Sequence, residues 1–226
     1  MASSLVIPLS YLLGAIPFGL LVARLVKRID VRRYGSGNTG TTNVLRTTGL
    51  KPALAVLLLD AGKGVLAVML AKVVSPSPGL EVAAAIAVLV GHNWSVFIHF
   101  QGGKGTATGM GALCTLSPLA GLIVLVVGLP FIAIFRYISL GSIVGAVAAL
   151  VSVVLLASLA PSVSLGAPSY IYIAYPAVGA PMLLFKHRGN IARLLRGQER
   201  KLGESVKIGG TSAETPGPNN YLKTPF

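Results

Sequence analysis

Hydrophobic and polar positions along this chain fall into long blocks and do not alternate at the period of a strand. Apolar runs cover residues 4–24, 52–72, 80–98, 106–135, 139–160 and 168–186, with glycine-rich, hydroxyl-rich and basic segments between several of them. A run of about 20 mostly apolar residues is long enough to cross a bilayer as a helix. The stretch 106–135 is too long for one crossing, and Ser117-Pro118 divides it into a short helix to about Leu116 and another from Pro118. Pro76 and Pro78 mark a short turn, and Pro161 and Pro168 separate the last two runs. The pattern predicts an all-α, polytopic integral membrane protein with seven transmembrane helices.

Composition supports the membrane assignment. The chain is 54% hydrophobic and 11% charged, where a soluble domain carries roughly 25% charge, and its mean hydropathy is +0.78. The formal net charge of +13 does not point to nucleic acid, because the basic residues cluster between apolar runs. Arg24, Lys27, Arg28, Arg32, Arg33, Arg46 and Lys51 follow the first run, Lys104 and Arg136 stand in later loops, and Lys186, Arg188, Arg193, Arg196, Arg200 and Lys201 follow the last run. Seven crossings put all of these on one side and leave only Lys72 near the other, whereas six would scatter them. The excess of Lys and Arg on the cytoplasmic side then sets the N-terminus outside and the C-terminus in the cytoplasm. Residues 1–23 carry no basic leading segment and no evident cleavage site, which predicts a retained helix.

Cys114 is the single cysteine, so no disulfide framework exists within one chain and a metal cluster is disfavoured. Past the last run, Ile191, Leu194, Leu195 and Leu202 recur at helical spacing against Arg193, Arg196 and Arg200. This predicts a short basic amphipathic helix near 189–201 on the membrane surface. The domain expectation is a membrane-embedded unit over 1–203 and a polar, Gly- and Pro-rich disordered tail over 204–226.

Three polar clusters carry the candidate chemistry. The first runs from Arg32 to Arg46 and includes Gly35, Ser36, Gly37, Asn38, Gly40, Thr42 and Asn43. Glycines let backbone N–H groups approach a ligand, and such loops suit phosphate oxygens. Gly35-x-Gly37-x-x-Gly40 matches a dinucleotide fingerprint in form only, since no strand precedes it. The second cluster runs from Gly91-His92 to Gly102-Gly103-Lys104-Gly105-Thr106. It fails the P-loop pattern, with Gly105 after the lysine and Ile98 at the leading position, yet it offers amide donors, a point positive charge and a helix start at Thr106. The third is Lys186-His187-Arg188-Gly189-Asn190-Ile191-Ala192-Arg193, where His187 and Asn190 share one helix face. Asp60 and Lys63 lie inside the second run, and a structural ion pair and a site role both stand open for them.

In this order the three clusters resemble the bacterial acyl-phosphate:glycerol-3-phosphate acyltransferase family, the PlsY type. The resemblance spans about residues 3–202. It rests on Gly35-Ser36-Gly37-Asn38-x-Gly40-x-Thr42-Asn43 with Arg46, on Gly91-His92 through Gly102-Gly103-Lys104-Gly105-x-Ala107-Thr108, and on His187-x-x-Asn190-Ile191-x-Arg193-Leu194 with Gly197 and Glu199. Gln101, where lysine is commoner, and Thr41, where alanine is common, depart from the pattern.

The resemblance implies a seven-helix enzyme of the bacterial inner membrane with its site on the cytoplasmic side. It would transfer an acyl group from acyl phosphate to the 1-hydroxyl of sn-glycerol 3-phosphate, the first acylation of phospholipid synthesis, as a monomer without cofactor or metal. Ser36, Arg46, Lys104, His187 and Asn190 are the implied catalytic residues. Substrate phosphate contacts are expected from Gly35, Gly37, Asn38, Gly40, Thr42, Asn43, His92, Gly102, Gly103, Gly105, Thr106 and Arg193. The general base is left between the substrate phosphate and His187. The rival reading is a transporter of a phosphorylated solute, against which stands the lack of an internal repeat.

Overall fold

A computed structural model of the chain describes residues 2–159 and 169–206. Among them the chain forms ten α-helices and no strand: α1 (Ala2–Ala15), α2 (Phe18–Lys27), α3 (Thr41–Thr48), α4 (Leu50–Val74), α5 (Pro78–Asn93), α6 (Thr106–Leu116), α7 (Pro118–Phe135), α8 (Ile138–Leu159), α9 (Ala174–Lys186) and α10 (Arg188–Leu195). Five stretches are long and apolar enough to cross a bilayer: Ser3–Lys27, Leu50–Val74, Pro78–Ile98, Pro118–Phe135 and Ile138–Ser158. Of the seven runs read in the sequence, those that became α6 and α9 fall short at 11 and 13 residues. α9 is preceded by a 3₁₀ turn at Tyr170–Ile173, and residues 160–168 lie outside the described residues.

The first apolar run does not form one straight helix. α1 ends at Ala15 and α2 begins at Phe18, because Pro17 has no N–H to continue the ladder. Buried side chains take up the carbonyls released at this break: Lys63 Nζ donates to the Ile16 carbonyl at 3.1 Å, and Ser95 Oγ donates to the Ala15 carbonyl.

Small residues set the helix crossings. A Cβ on Gly64 of α4 would lie 2.1 Å from the Thr108 carbonyl oxygen, and one on Gly111 of α6 would lie 2.0 Å from that of Ala61. α4 and α6 therefore meet backbone to backbone, the close approach that small residues allow between membrane helices. α1 packs on α5 and α7 on α8. A buried cluster including Val68, Val82, Leu113, Leu116, Val124, Val153 and Tyr175 fills the bundle interior. Many leucines on the outer faces are exposed, Leu58 at 72% for example, as expected of a lipid-facing surface.

The surface helix read at 189–201 is shorter. α10 stops at Leu195, Gly197 turns the backbone with φ +66°, and Gln198–Lys201 run back toward the bundle. Past the expected boundary at 203, the Val206 N–H donates to the Arg46 carbonyl at 3.0 Å. The rest of the expected tail, 207–226, lies outside the described residues.

Candidate active site

The three polar clusters meet at one end of the bundle, around the mouth of a cavity of about 490 Å³. Its polar end is lined by Ser36, Asn38, Gly40, Thr41, Thr42, Asn43 and Arg46 from the first cluster, His92, Lys104, Gly105 and Thr106 from the second, and His187 and Asn190 from the third. The cavity then continues between α6, α7, α8 and α9 along Met110, Leu113, Val124, Leu129, Ala146 and Ala149. Gly35, Gly37, Gly102, Gly103 and Arg193 stand behind this surface and are not among its lining residues.

Asn43 holds the first cluster in shape. Its side chain is buried; Oδ1 accepts from the Ser36 N–H at 2.9 Å, and Nδ2 donates to the carbonyls of Val31, Asn38 and Tyr34 at 2.9, 2.9 and 3.1 Å. One amide thus closes the loop over itself. Gly35 sits against it with φ +64°, and a Cβ there would lie 2.2 Å from Asn43 Oδ1, so only glycine fits. Thr41 Oγ1, at the start of α3, is buried without a protein partner.

The second cluster is braced from beneath by His92. The Gly103 N–H donates to the His92 carbonyl at 3.0 Å, and a Cβ on Gly103 would lie 2.2 Å from His92 Nε2. The other ring nitrogen, Nδ1, lies 3.2 Å from Thr108 Oγ1 and 3.5 Å from Asp60 Oδ1. His92 thus ties the Gly102–Gly105 loop to α4 and α6. Asp60 and Lys63 pair at 2.8 Å with side-chain exposures of 2% and 1%. Of the two readings open for them, the ion pair is realised, and Asp60 reaches the cavity wall as well.

In the third cluster, Lys104 Nζ donates to Asn190 Oδ1. Asn190 Nδ2 donates to Glu199 Oε1 at 2.7 Å, Ser139 Oγ donates to the same oxygen at 3.1 Å, and Arg193 Nε donates to Glu199 Oε2 at 2.8 Å. An ammonium only donates and a carboxylate only accepts, so these partners fix which way the Asn190 amide points. Burial lowers the Lys104 pKa to about 8; Arg193 and Arg46 push it the same way and Glu199 opposes them. The ammonium form still predominates at pH 7.

His187 lies at the end of α9, its Nδ1 2.9 Å from the Leu183 carbonyl. A carbonyl only accepts, so Nδ1 carries the proton and Nε2 keeps its lone pair. Burial first, and then the Lys104 charge, lower its pKa to about 4, so the ring is neutral at pH 7. Arg46 Nη2 donates to the Arg200 carbonyl at 3.2 Å, and burial lowers its pKa too, though a guanidinium stays charged.

Glu199, Ser139 and the apolar lining were not assigned as site residues from sequence. Glu199 alone had a signal, as the single acidic residue in the basic run from Lys186 to Lys201. Among the described residues, no group of three or more His, Cys, Asp or Glu is arranged to hold a metal ion.

A family profile described as Glycerol-3-phosphate acyltransferase matches residues 4–197. The chain belongs to the glycerol-3-phosphate acyltransferase family. A member from Thermoanaerobacter pseudethanolicus is 44% identical over 200 residues, covering 88% of this chain and 96% of that one. A member from Synechococcus sp. (strain CC9902) is 43% identical over 207 residues, covering 92% and 98%. Two crystal structures of PlsY, an integral membrane glycerol 3-phosphate acyltransferase, share the fold. The glycerol 3-phosphate form gives a TM-score of 0.80 at 33% identity, over 90% of this chain and 96% of that one. The lysophosphatidic acid form gives 0.78 at 32%, over 90% and 97%. With the five long apolar helices, this family membership makes the chain a membrane protein.

Proposed function

We propose that the protein transfers a fatty acyl group from acyl phosphate to the 1-hydroxyl of sn-glycerol 3-phosphate, releasing lysophosphatidic acid and phosphate. The observation that carries this reading is that one cavity is cationic at its mouth and apolar in its depth. A lipid acyl phosphate needs both ends at once, and a small phosphorylated alcohol needs the first.

Lys104 and Arg46 neutralise the two substrate phosphates, the lysine as a point charge and the arginine as a fork. Ser36, Asn38, Gly40, Thr42, Gly105 and Thr106 supply hydroxyl, amide and backbone contacts to phosphate and glycerol oxygens, and the start of α6 favours the anion. Gly35, Gly37 and Asn43 shape the first loop. Gly102, Gly103 and His92 shape the second, and Arg193 acts on the site through Glu199. His187 Nε2 accepts from the glycerol hydroxyl and orients it, and Asn190 holds Lys104.

In the transfer, the 1-hydroxyl oxygen bonds to the acyl carbon, the bond from that carbon to the bridging phosphate oxygen breaks, and the hydroxyl proton goes to the departing phosphate. A histidine with a pKa near 4 is a poor proton acceptor at pH 7, while a phosphate with a second pKa of about 6 is better matched. This favours the substrate phosphate as base. An acyl phosphate is already activated, so positioning and charge stabilisation supply most of the catalysis.

The chain is assigned seven crossings, counting α1 with α2 as one and including α6 and α9, with the N-terminus outside. It acts as a monomer in the bacterial inner membrane, within one membrane domain ending near 203, with its site on the cytoplasmic side. Support comes from the basic residues gathered with the site, and from the chain reversal at Ser117-Pro118, where a Cβ on Gly121 of α7 would lie 2.5 Å from Cys114 Sγ of α6.

The deciding test gives purified protein palmitoyl phosphate and glycerol 3-phosphate. Phosphate and lysophosphatidic acid are expected in equal amounts from wild type and neither from Lys104→Ala. Equal use of palmitoyl-CoA would overturn the donor assignment. Movement of labelled glycerol 3-phosphate into liposomes without a donor would favour transport.

A further inference from the structure

The apolar half of the cavity has a floor. Leu113 on α6, Val124 on α7, Ala149 on α8 and Tyr175 on α9 line its deep end. Leu113, Val124 and Tyr175 belong also to the buried cluster that fills the bundle, and so do Leu116 and Val153, one helical turn further on. Packed side chains therefore close the deep end, while Leu125 and Leu129 of the lining, 38% and 55% exposed, leave the flank along α7 open toward the bilayer. Tyr175 is 4% exposed and donates its hydroxyl to the Gly109 carbonyl at 2.9 Å, which fixes one wall of the floor between α9 and α6.

The depth follows from the helices that line it. The cavity follows α8 and α9 furthest: ten helical steps from Ser139 to Ala149, and twelve from His187, just past the end of α9, back to Tyr175. At a rise of about 1.5 Å per residue these are about 15 and 18 Å. A fully extended hydrocarbon chain, with C–C bonds of about 1.5 Å near the tetrahedral angle, advances about 1.25 Å per carbon. The shaft therefore takes about twelve to fourteen carbons beyond a carbonyl held at the level of His187.

We propose that the layer formed by Leu113, Val124, Ala149 and Tyr175 selects the length of the acyl chain, with an optimum near fourteen carbons. The inference rests on the acyl-transfer reading of the same cavity. The donor's tail is already out of water in the bilayer, so transfer into the shaft brings little hydrophobic gain. Selection comes from packing: a short chain leaves contacts unmade at the floor, and a long one overlaps core side chains or must bend.

The test offers pairs of saturated acyl phosphates of ten to eighteen carbons to the purified full chain and reads the product ratio. Wild type is expected to peak within two carbons of fourteen. Ala149→Leu adds bulk at the floor and is expected to lower the optimum by two to four carbons, with the sixteen-to-twelve product ratio falling about tenfold. Ala146→Leu, one turn nearer the mouth, is expected to lower it further, and Leu113→Ala to raise it.

The proposal is overturned if the wild-type profile is flat from twelve to eighteen carbons, or if Ala149→Leu and Leu113→Ala change every length by the same factor. Thermal unfolding of the same proteins with lysophosphatidates of graded length separates the two readings. A length optimum in protection that moves with Ala149→Leu, without turnover of any acyl phosphate, keeps the length selection and removes acyl transfer. Turnover with flat length profiles in both measurements removes the length selection alone. The unfolding temperature without lipid identifies a variant that has failed to fold, in which case the other floor substitutions decide.

Discussion

Two buried polar clusters lie close together, and their charge balance differs. In the first, Asp60 and Lys63 pair at 2.8 Å, Lys63 also donates to Ile16 at 3.1 Å, and His92 stands between Asp60 and Thr108. One carboxylate meets one ammonium, so the two charges cancel within the cluster although Asp60 and His92 also reach the cavity wall. In the second, Arg46, Lys104 and Arg193 gather around the carboxylate of Glu199, with Arg200 and Glu204 also acting on Arg46, and His187 Nε2 is left with a lone pair beside the cavity. Cations outnumber carboxylates there, an arrangement that an incoming anion balances. Buried charge in a membrane protein is therefore a poor guide to function by itself. The charge left unbalanced at a cavity is the better one.

The largest expected break in this contrast is Lys104→Ala. It removes a charge from the unbalanced cluster and should lower phosphate release about a thousandfold, the scale of losing one oriented transition-state contact, while the unfolding temperature changes little. The lysine works as the ammonium and its pKa lies at about 8. Activity should therefore fall as pH rises through about 8, and Lys104→Arg should extend whatever activity it keeps to higher pH. His187, with its pKa near 4, should add no loss between pH 7 and 5, which a pH–rate profile reads directly.

Asp60→Asn strikes the balanced cluster and should show the reverse pattern. It strands Lys63, and breaking one side of a buried pair costs about 3–5 kcal/mol, read as a lowered unfolding temperature in detergent. Joint replacement, Asp60→Asn with Lys63→Met, should regain much of that loss. If the double variant is no more stable than the single, the pair is not what holds this region together.

Gly103→Ala probes the seam between the clusters. Its Cβ would need the space of His92 Nε2, 2.2 Å away, so the loop carrying Lys104 must shift. A loss of about ten- to a hundredfold in kcat/KM is expected from displacement on that scale. The smallest effect is expected far from both. Lys72 donates to the Thr115 carbonyl at 2.9 Å and lies 3.8 Å from Glu81, and Lys72→Met should leave activity within about twofold while costing about 1 kcal/mol of stability.

The apolar blocks announced an all-helical membrane protein, and the three motifs pointed to the end where polar residues gather. Both signals are local in the chain. What stayed hidden depends on packing. The break at Ile16-Pro17 lies inside a run that reads as continuous, and its carbonyls are met by residues 47 and 80 positions away. Glu199 draws its partners from α8 and from α10, so no motif could give its role. The glycines of the second loop look like phosphate donors in sequence, and the close approach of Gly102 and Gly103 to His92 is a further demand on them that the sequence does not show. The floor of the cavity belongs to the general core, and nothing in the one-dimensional pattern sets its four residues apart.

The bond from Lys63 to Ile16 also bears on how the chain is made. Synthesis runs from the N-terminus, so the segment that carries the Ile16 carbonyl is made before α4 emerges. When the second long helix enters the bilayer, its ammonium finds a waiting acceptor as well as its own Asp60. A chain lacking the first sixteen residues would present the same helix with that acceptor gone, and a defect of insertion would then precede any defect of catalysis.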